Sequence, residues 1–248
     1  NDILGLAKTG TGKTAAFAIP IIDKILKNAP KRPSALILAP TRELAAQISD
    51  EMQRLACFTQ ATGVTIYGGV RQGPQVAKLR QQPDIIVACP GRLLDLMGQG
   101  HVKLNGIESL VLDEADHMFD MGFLITIRKI IKHIPKKRQN FLFSATMPKE
   151  IRHLADAMLI KPTVVELSDQ KPIELIEQMA YWVDRSKKLK LLEHLLDSDN
   201  VHRAIVFART KRGAKVLASK LEKAKHDAAA LQGNMSQNAR EKIMQRFK

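Results

Sequence analysis

Ala7-Lys8-Thr9-Gly10-Thr11-Gly12-Lys13-Thr14 has the residue types of a phosphate cradle. A loop of small residues lets backbone N–H groups approach phosphate oxygens, and a helix starting at Gly12-Lys13-Thr14 adds its unpaired N–H groups and its dipole. Lys13 would reach the β- and γ-phosphates of a nucleotide, and Thr14 would offer its hydroxyl to Mg²⁺. Ala7 stands where such loops usually carry their first glycine.

About 100 residues after Lys13, the apolar run Leu110-Val111-Leu112 ends in Asp113-Glu114-Ala115-Asp116. A carboxylate at a strand end across from a phosphate loop suits a Mg²⁺ ligand, the role expected of Asp113. Glu114 would position or deprotonate an attacking water. Asp116 is expected to bond to other motifs rather than to the nucleotide. Together these residues predict nucleotide hydrolysis without saying what it drives.

Other strand ends bear on that purpose. Pro40-Thr41-Arg42-Glu43 and Cys89-Pro90-Gly91-Arg92 each follow an apolar run and precede a helical pattern, and Gly68-Gly69 closes a third run. Hydroxyls, arginines and free helix N–H groups at such ends suit a phosphodiester backbone. The alternative for each is helix capping, with proline in the first turn.

The elements that must hold these residues are short apolar runs at 3–7, 34–40, 64–69, 84–89, 109–115, 139–145 and 163–167, with amphipathic helical stretches between them. Such alternation predicts an α/β fold with a parallel sheet covered on both faces, and function at the carboxyl ends of its strands. Pro20 falls inside the first helical pattern, where a kink is expected. The polar stretch 168–177 reads as a linker. Beyond it, 178–183, 203–208 and 228–232 read as three further strands, with helices around 186–197, 211–224 and 236–248. The domain boundaries expected are therefore 1–167 and 178–248.

The chain has 248 residues, 39 basic and 25 acidic, for a net charge of +14. Residues 1–165 carry +8 and the rest +6, so both parts are basic and a nucleic-acid partner is favoured. Aromatics are only 4%, which makes base stacking minor and backbone contact the main mode. No apolar run is long enough for a membrane span. The two cysteines, Cys57 and Cys89, form no metal-binding spacing and fit a reducing, cytoplasmic setting.

Ala7–Thr14, PTRELA, the Gly-Gly of IYGGV, PGR, DEAD and SAT stand in the order seen in DEAD-box ATP-dependent RNA helicases, which the whole chain resembles. GGVRQGPQV, VLDEADHMFDMGF and LFSATMPKEI are most like the bacterial RhlE-like branch. The resemblance implies a P-loop NTPase, with a RecA-like first domain followed by a truncated second RecA-like domain, using ATP and Mg²⁺. It implies ATP contact by Ala7, Lys8, Thr9, Gly10, Thr11, Gly12, Lys13 and Thr14, and catalysis by Lys13, Asp113 and Glu114. Ser144, Ala145 and Thr146, with Asp116, would couple nucleotide state to strand separation. Pro40, Thr41, Arg42, Gly69, Pro90, Gly91 and Arg92 would contact RNA, joined from the second domain by Arg209, Thr210, Gln237 and Arg240.

Three departures from the family pattern stand out. Only Asn1–Leu6 precede the phosphate loop, the late arginine-rich motif is not found before Lys248, and Cys89 replaces a threonine. These lead to the expectation of a fragment, weak or inactive alone, with a marginal second domain. The rival readings are a DNA translocase of the same superfamily, a slow-turnover RNA clamp and a nucleotide-gated scaffold that touches no RNA.

Overall fold

The computed structural model describes residues 1–7, 10–28, 30–167, 177–198 and 201–247. Lys8 and Thr9 of the phosphate loop, and all of the expected linker except Glu177, lie outside them. The chain divides into two compact units, Asn1–Ile173 and Glu174–Lys248.

In the first unit strands and helices alternate: β1 (Ile3–Leu6), α1 (Lys13–Asn28), β2 (Ala35–Leu38), α2 (Arg42–Leu55), β3 (Gly63–Ile66), α3 (Gln72–Arg80) and β4 (Ile85–Ala88). There follow α4 (Pro90–Gly98), β5 (Ser109–Leu112), α5 (Ala115–Asp120), α6 (Leu124–Ile131), β6 (Gln139–Ser144), α7 (Lys149–Met158) and β7 (Thr163–Glu166). All seven apolar runs form strands, and they make one sheet in the order β3-β4-β2-β5-β6-β1-β7. Every pairing is parallel.

The strands read as continuous apolar runs because alternate residues enter two cores. Leu36, Leu38, Ile86, Leu110, Leu112 and Leu142 pack on one face against α4, α6 and α7, through side chains such as Leu93, Ile127 and Leu154. Ile37, Ile85, Val87, Val111, Phe141 and Phe143 pack on the other against Phe17, Ile21 and Ile25 of α1 and Ile48 and Met52 of α2. Each fully buried Leu or Ile contributes about 1.5–3 kcal/mol. Pro20 sits within α1, which runs without a break from Lys13 to Asn28.

At the amino ends of the strands, buried Asp2 ties three segments together. Its carboxylate accepts from Asn140 N and Nδ2 and from Ile160 N, each at 2.8–2.9 Å. Burial opposes its ionisation, but these hydrogen bonds prevail and hold its pKa below the ordinary carboxylate value.

The second unit differs from its sequence reading. Its helices are where expected: α8 (Lys188–Leu196), α9 (Lys211–Lys223) and α10 (Gln237–Phe247). The three expected strands are absent, since none of the described residues beyond Glu166 is in a strand. A parallel strand needs hydrogen-bonded neighbours and a cover on each face. Here Trp182, Ile205 and Phe207 are 101%, 69% and 94% exposed, and Leu221 is the one buried apolar side chain among this unit's described residues.

Local stability should follow this contrast. Amide exchange is expected to be slow through β2, β4, β5 and β6 and fast across 178–183 and 203–208. Equal protection in the two sets would refute the difference.

Candidate nucleotide and nucleic-acid site

Parallel strands deliver all their carboxyl ends to one edge, and the sheet order sorts what arrives there. The phosphate loop follows β1, the acidic tetrapeptide follows β5 and Ser144-Ala145-Thr146 follows β6, so these three loops belong to the neighbouring strands β5-β6-β1. Pro40-Thr41-Arg42 follows β2, Gly68-Gly69 follows β3 and Cys89-Pro90-Gly91-Arg92 follows β4, which are the neighbouring strands β3-β4-β2.

In the first group, Gly10 and Gly12 take φ of +85° and +83°, left-handed values that a side chain would strain. Among the described residues, chain neighbours aside, no heavy atom lies within 4 Å of where a Cβ would stand on either. Lys13 and Thr14 begin α1, with Gly12 O accepting from Ala16 N at 3.1 Å. The Lys13 ammonium donates to Ala7 O at 3.1 Å and lies 3.7 Å from Asp113 Oδ1, with both side chains over nine-tenths buried. Burial pushes the Asp113 pKa up and Glu114 adds to this, while Lys13 and the Glu114 N–H oppose it.

Glu114 caps α5 with φ 52° and ψ 55°, a left-handed conformation unusual for a residue with a side chain. Its Oε2 lies 3.3 Å from Nδ1 of His117, a neighbour that i, i+3 spacing could have indicated.

Asp116 bonds to the segment after β6. Its Oδ2 accepts from Thr146 N at 2.9 Å and from Thr146 Oγ1 at 2.8 Å, and its own N–H donates to Ser144 Oγ at 3.2 Å. Burial disfavours the charged carboxylate, yet these bonds and the His117 N–H outweigh it and hold the pKa below the usual value. Ala7 N donates to Ser144 O at 3.0 Å, so the phosphate loop, the acidic tetrapeptide and Ser144–Thr146 are joined through the end of β6. Ala145 and Thr146 are exposed beside buried Ser144.

In the second group, Thr41 caps α2 by accepting from Leu44 N at 3.2 Å, so its hydroxyl does have the capping role. A Cβ on Gly69, whose φ is +75°, would collide with the Arg42 guanidinium. Arg42 therefore lies directly over Gly69, whose left-handed φ disfavours a side chain, a contact that sequence spacing did not reveal. Arg92 reaches back to Val70 O at 3.5 Å and to Asp95 at 3.6 Å. Cys89 precedes α4 without a side-chain cap, and Pro90 takes the first helical position. Burial pushes the Cys89 thiol up to about 11, against Arg42 and with Glu43.

In the second unit, exposed Arg209 precedes Thr210, which caps α9 by accepting from Gly213 N at 2.9 Å. Gln237 is buried at the start of α10, and Arg240 N donates to Ser236 O at 3.1 Å one turn on.

A family model described as DEAD/DEAH box helicase matches residues 1–154, and one described as helicase conserved C-terminal domain matches residues 187–248. The chain is 40% identical over 249 residues to the DEAD-box ATP-dependent RNA helicase CshA of Geobacillus kaustophilus, covering 100% of this chain and 53% of that protein. It is 38% identical over 250 residues to the ATP-dependent RNA helicase DeaD of Haemophilus influenzae, covering 100% and 41%. The crystal structure of a DEAD box protein from the hyperthermophile Methanococcus jannaschii matches with a TM-score of 0.63 at 38% identity, covering 99% of this chain and 66% of that one. The chain thus spans about half the length of the curated relatives it matches.

The Asp116 network generates a test. Asp116→Asn keeps the shape but weakens the acceptor, and the expected loss is about 1 kcal/mol, or roughly 2–4 °C in Tm. A carboxylate with a depressed folded pKa stabilises above its unfolded pKa, and that contribution fades as pH falls through the folded value. Melting curves at several pH values should show a gap at pH 7 that closes in acid below the ordinary aspartate range. A gap that widens in acid would overturn the assignment.

Proposed function

Since the chain belongs to the DEAD/DEAH box helicase family, we propose that the whole protein is an ATP-dependent RNA helicase. It binds single-stranded RNA by its backbone and separates short duplexes locally, driven by ATP binding and hydrolysis. The observation that carries this reading is the bonding of Asp116 to Ser144 and Thr146, which connects the acidic tetrapeptide after β5 to the segment after β6.

The residues present fit a magnesium nucleotide. The left-handed Gly10 and Gly12 turn the loop, the start of α1 supplies free N–H groups, and a buried Lys13–Asp113 pair lies beside it. Thr14 and Asp113 would hold Mg²⁺, and ATP would supply the bond to be broken. Lys13 exchanges the Ala7 carbonyl for phosphate oxygens. Burial pushes the Asp113 pKa up and Lys13 opposes this, and a bound Mg²⁺ would favour its ionised form. Glu114 orients or deprotonates the water, with its carboxylate steadied by His117. ATP contact by Ala7 and Thr11, and by Lys8 and Thr9 outside the described residues, is part of the same proposal.

RNA backbone would lie along β3-β4-β2, against Pro40, Thr41, Arg42, Gly69, Pro90, Gly91 and Arg92. From the second domain, 178–248, it would meet Arg209, Thr210, Gln237 and Arg240. The domain boundary proposed is the stretch 168–177, which follows a first domain of 1–167. Thr41 and Thr210 contribute chiefly by capping, which presents helix N–H groups to phosphate. ATP and RNA would both favour the coupled arrangement, so each should raise the other's affinity. No helix among the described residues is long and apolar enough to cross a membrane, and the proposed setting is the cytoplasm.

Phosphate release from ATP by the whole protein, with and without single-stranded RNA, tests the reading, with Lys13→Ala as the blank. RNA-stimulated release above the blank is expected. Release that ignores RNA would favour a plain nucleotide-gated scaffold. Gly69→Ala should displace Arg42 and weaken RNA binding about fivefold to tenfold, a loss of about 1 kcal/mol, while nucleotide affinity without RNA stays unchanged. Undiminished RNA binding by this variant would remove Arg42 from the interface.

A further inference from the structure

The opposite edge of the first unit, at the amino ends of the strands, carries a feature away from the loops proposed to hold nucleotide and RNA. Between α4, the segment 102–105 that leads into β5, and α6 lies an open cleft of about 560 Å³. Its floor is apolar: Leu94 and Met97 from α4, with Val102 and Leu104 from the loop. Lys103 and Lys129 stand on its rim, both exposed, with His133 beside them.

Charge is unbalanced here. No carboxylate lines the cleft. The nearby acids are engaged elsewhere, Asp95 with Arg92 and Gln99, and Glu108 with Lys24. Lys103 and Lys129 form no ion pair among the described residues, and the turn after α6 adds exposed Lys132, Lys136 and Lys137. An apolar floor rimmed by Lys103 and Lys129 matches a ligand that offers both apolar side chains and carboxylates.

We propose that this cleft docks an acidic amphipathic peptide segment of a partner protein, which places leucine-like side chains on the Leu94–Met97–Val102–Leu104 floor and carboxylates against Lys103 and Lys129. RNA fits less well. Its backbone would use the lysines but gain nothing from an aliphatic floor, and no aromatic ring lines the cleft for a base to stack on. A second copy of this chain fits less well too, because a chain of net charge +14 repels its own basic faces.

Gly98 makes the test clean. It ends α4 and lines the cleft, and no heavy atom lies within 4 Å of where its Cβ would stand. Gly98→Phe therefore adds a bulky side chain at the cleft wall with no described neighbour for its Cβ to displace. The probe is a fluorescein-labelled synthetic helix with Leu on one face and Glu on the other, and the readout is anisotropy with the whole protein. Comparison ligands are the same peptide with Ser for Leu, and a single-stranded oligouridine.

Gly98→Phe, and separately Lys103→Glu with Lys129→Glu, should each weaken the Leu–Glu peptide by about tenfold or more. The Ser-substituted peptide should bind weakly throughout, and oligouridine affinity should not change. The same charge reversal at Lys215 and Lys220 serves as the control for general electrostatics and should cost much less. Equal losses from the two lysine pairs, or no loss on Gly98→Phe, would overturn the proposal. So would a selective loss of oligouridine binding, which would make the cleft an RNA site. Nucleotide turnover is not part of the readout, so the result stands apart from the helicase reading.

Discussion

Uniform strand direction is the constraint from which the rest follows. Parallel pairing forces each strand to be followed by a crossover, so every loop that leaves a strand emerges at one edge and every loop that enters one lies at the other. The chain order places β1, β5 and β6 side by side, and β2, β3 and β4 side by side. Six loops from distant parts of the sequence thereby become two adjoining sets. Hydrogen bonds then refine what topology has gathered: Asp116 to Thr146, Ala7 to Ser144, Arg92 to Val70.

The first unit was legible because its strands are buried on both faces, and a run such as Ala35–Leu38 or Ile85–Ala88 then has little choice but to be apolar throughout. Its candidate site could be singled out because phosphate loops and acidic strand ends use few residue types at fixed offsets. The second unit defeated the same reasoning. Residues 203–208 have the composition of a strand, but a strand is defined by its neighbours, and Ile205 and Phe207 remain open to solvent. Composition reports a tendency; pairing decides the outcome.

Contacts at close range were also beyond the sequence. Nothing in its spacing shows that Lys13 rests on the Ala7 carbonyl, or that the Arg42 guanidinium occupies the space above Gly69. The cleft at the opposite edge is of the same kind. Its floor takes single residues from a helix and a loop, and its rim takes lysines that in sequence look like ordinary solvated charge. The Glu114 backbone is a further case: a left-handed residue at the position expected to handle water is a local cost that the surrounding hydrogen bonds must hold in place.

The two cysteines differ in a way that bears on labelling. Cys89 is buried at the start of α4, and its thiol is pushed up to about 11, so almost none is thiolate near neutrality. Cys57 is exposed just beyond α2. Of these two, a thiol-directed reagent at neutral pH should therefore attach a dye or spin label at Cys57 and leave Cys89 untouched.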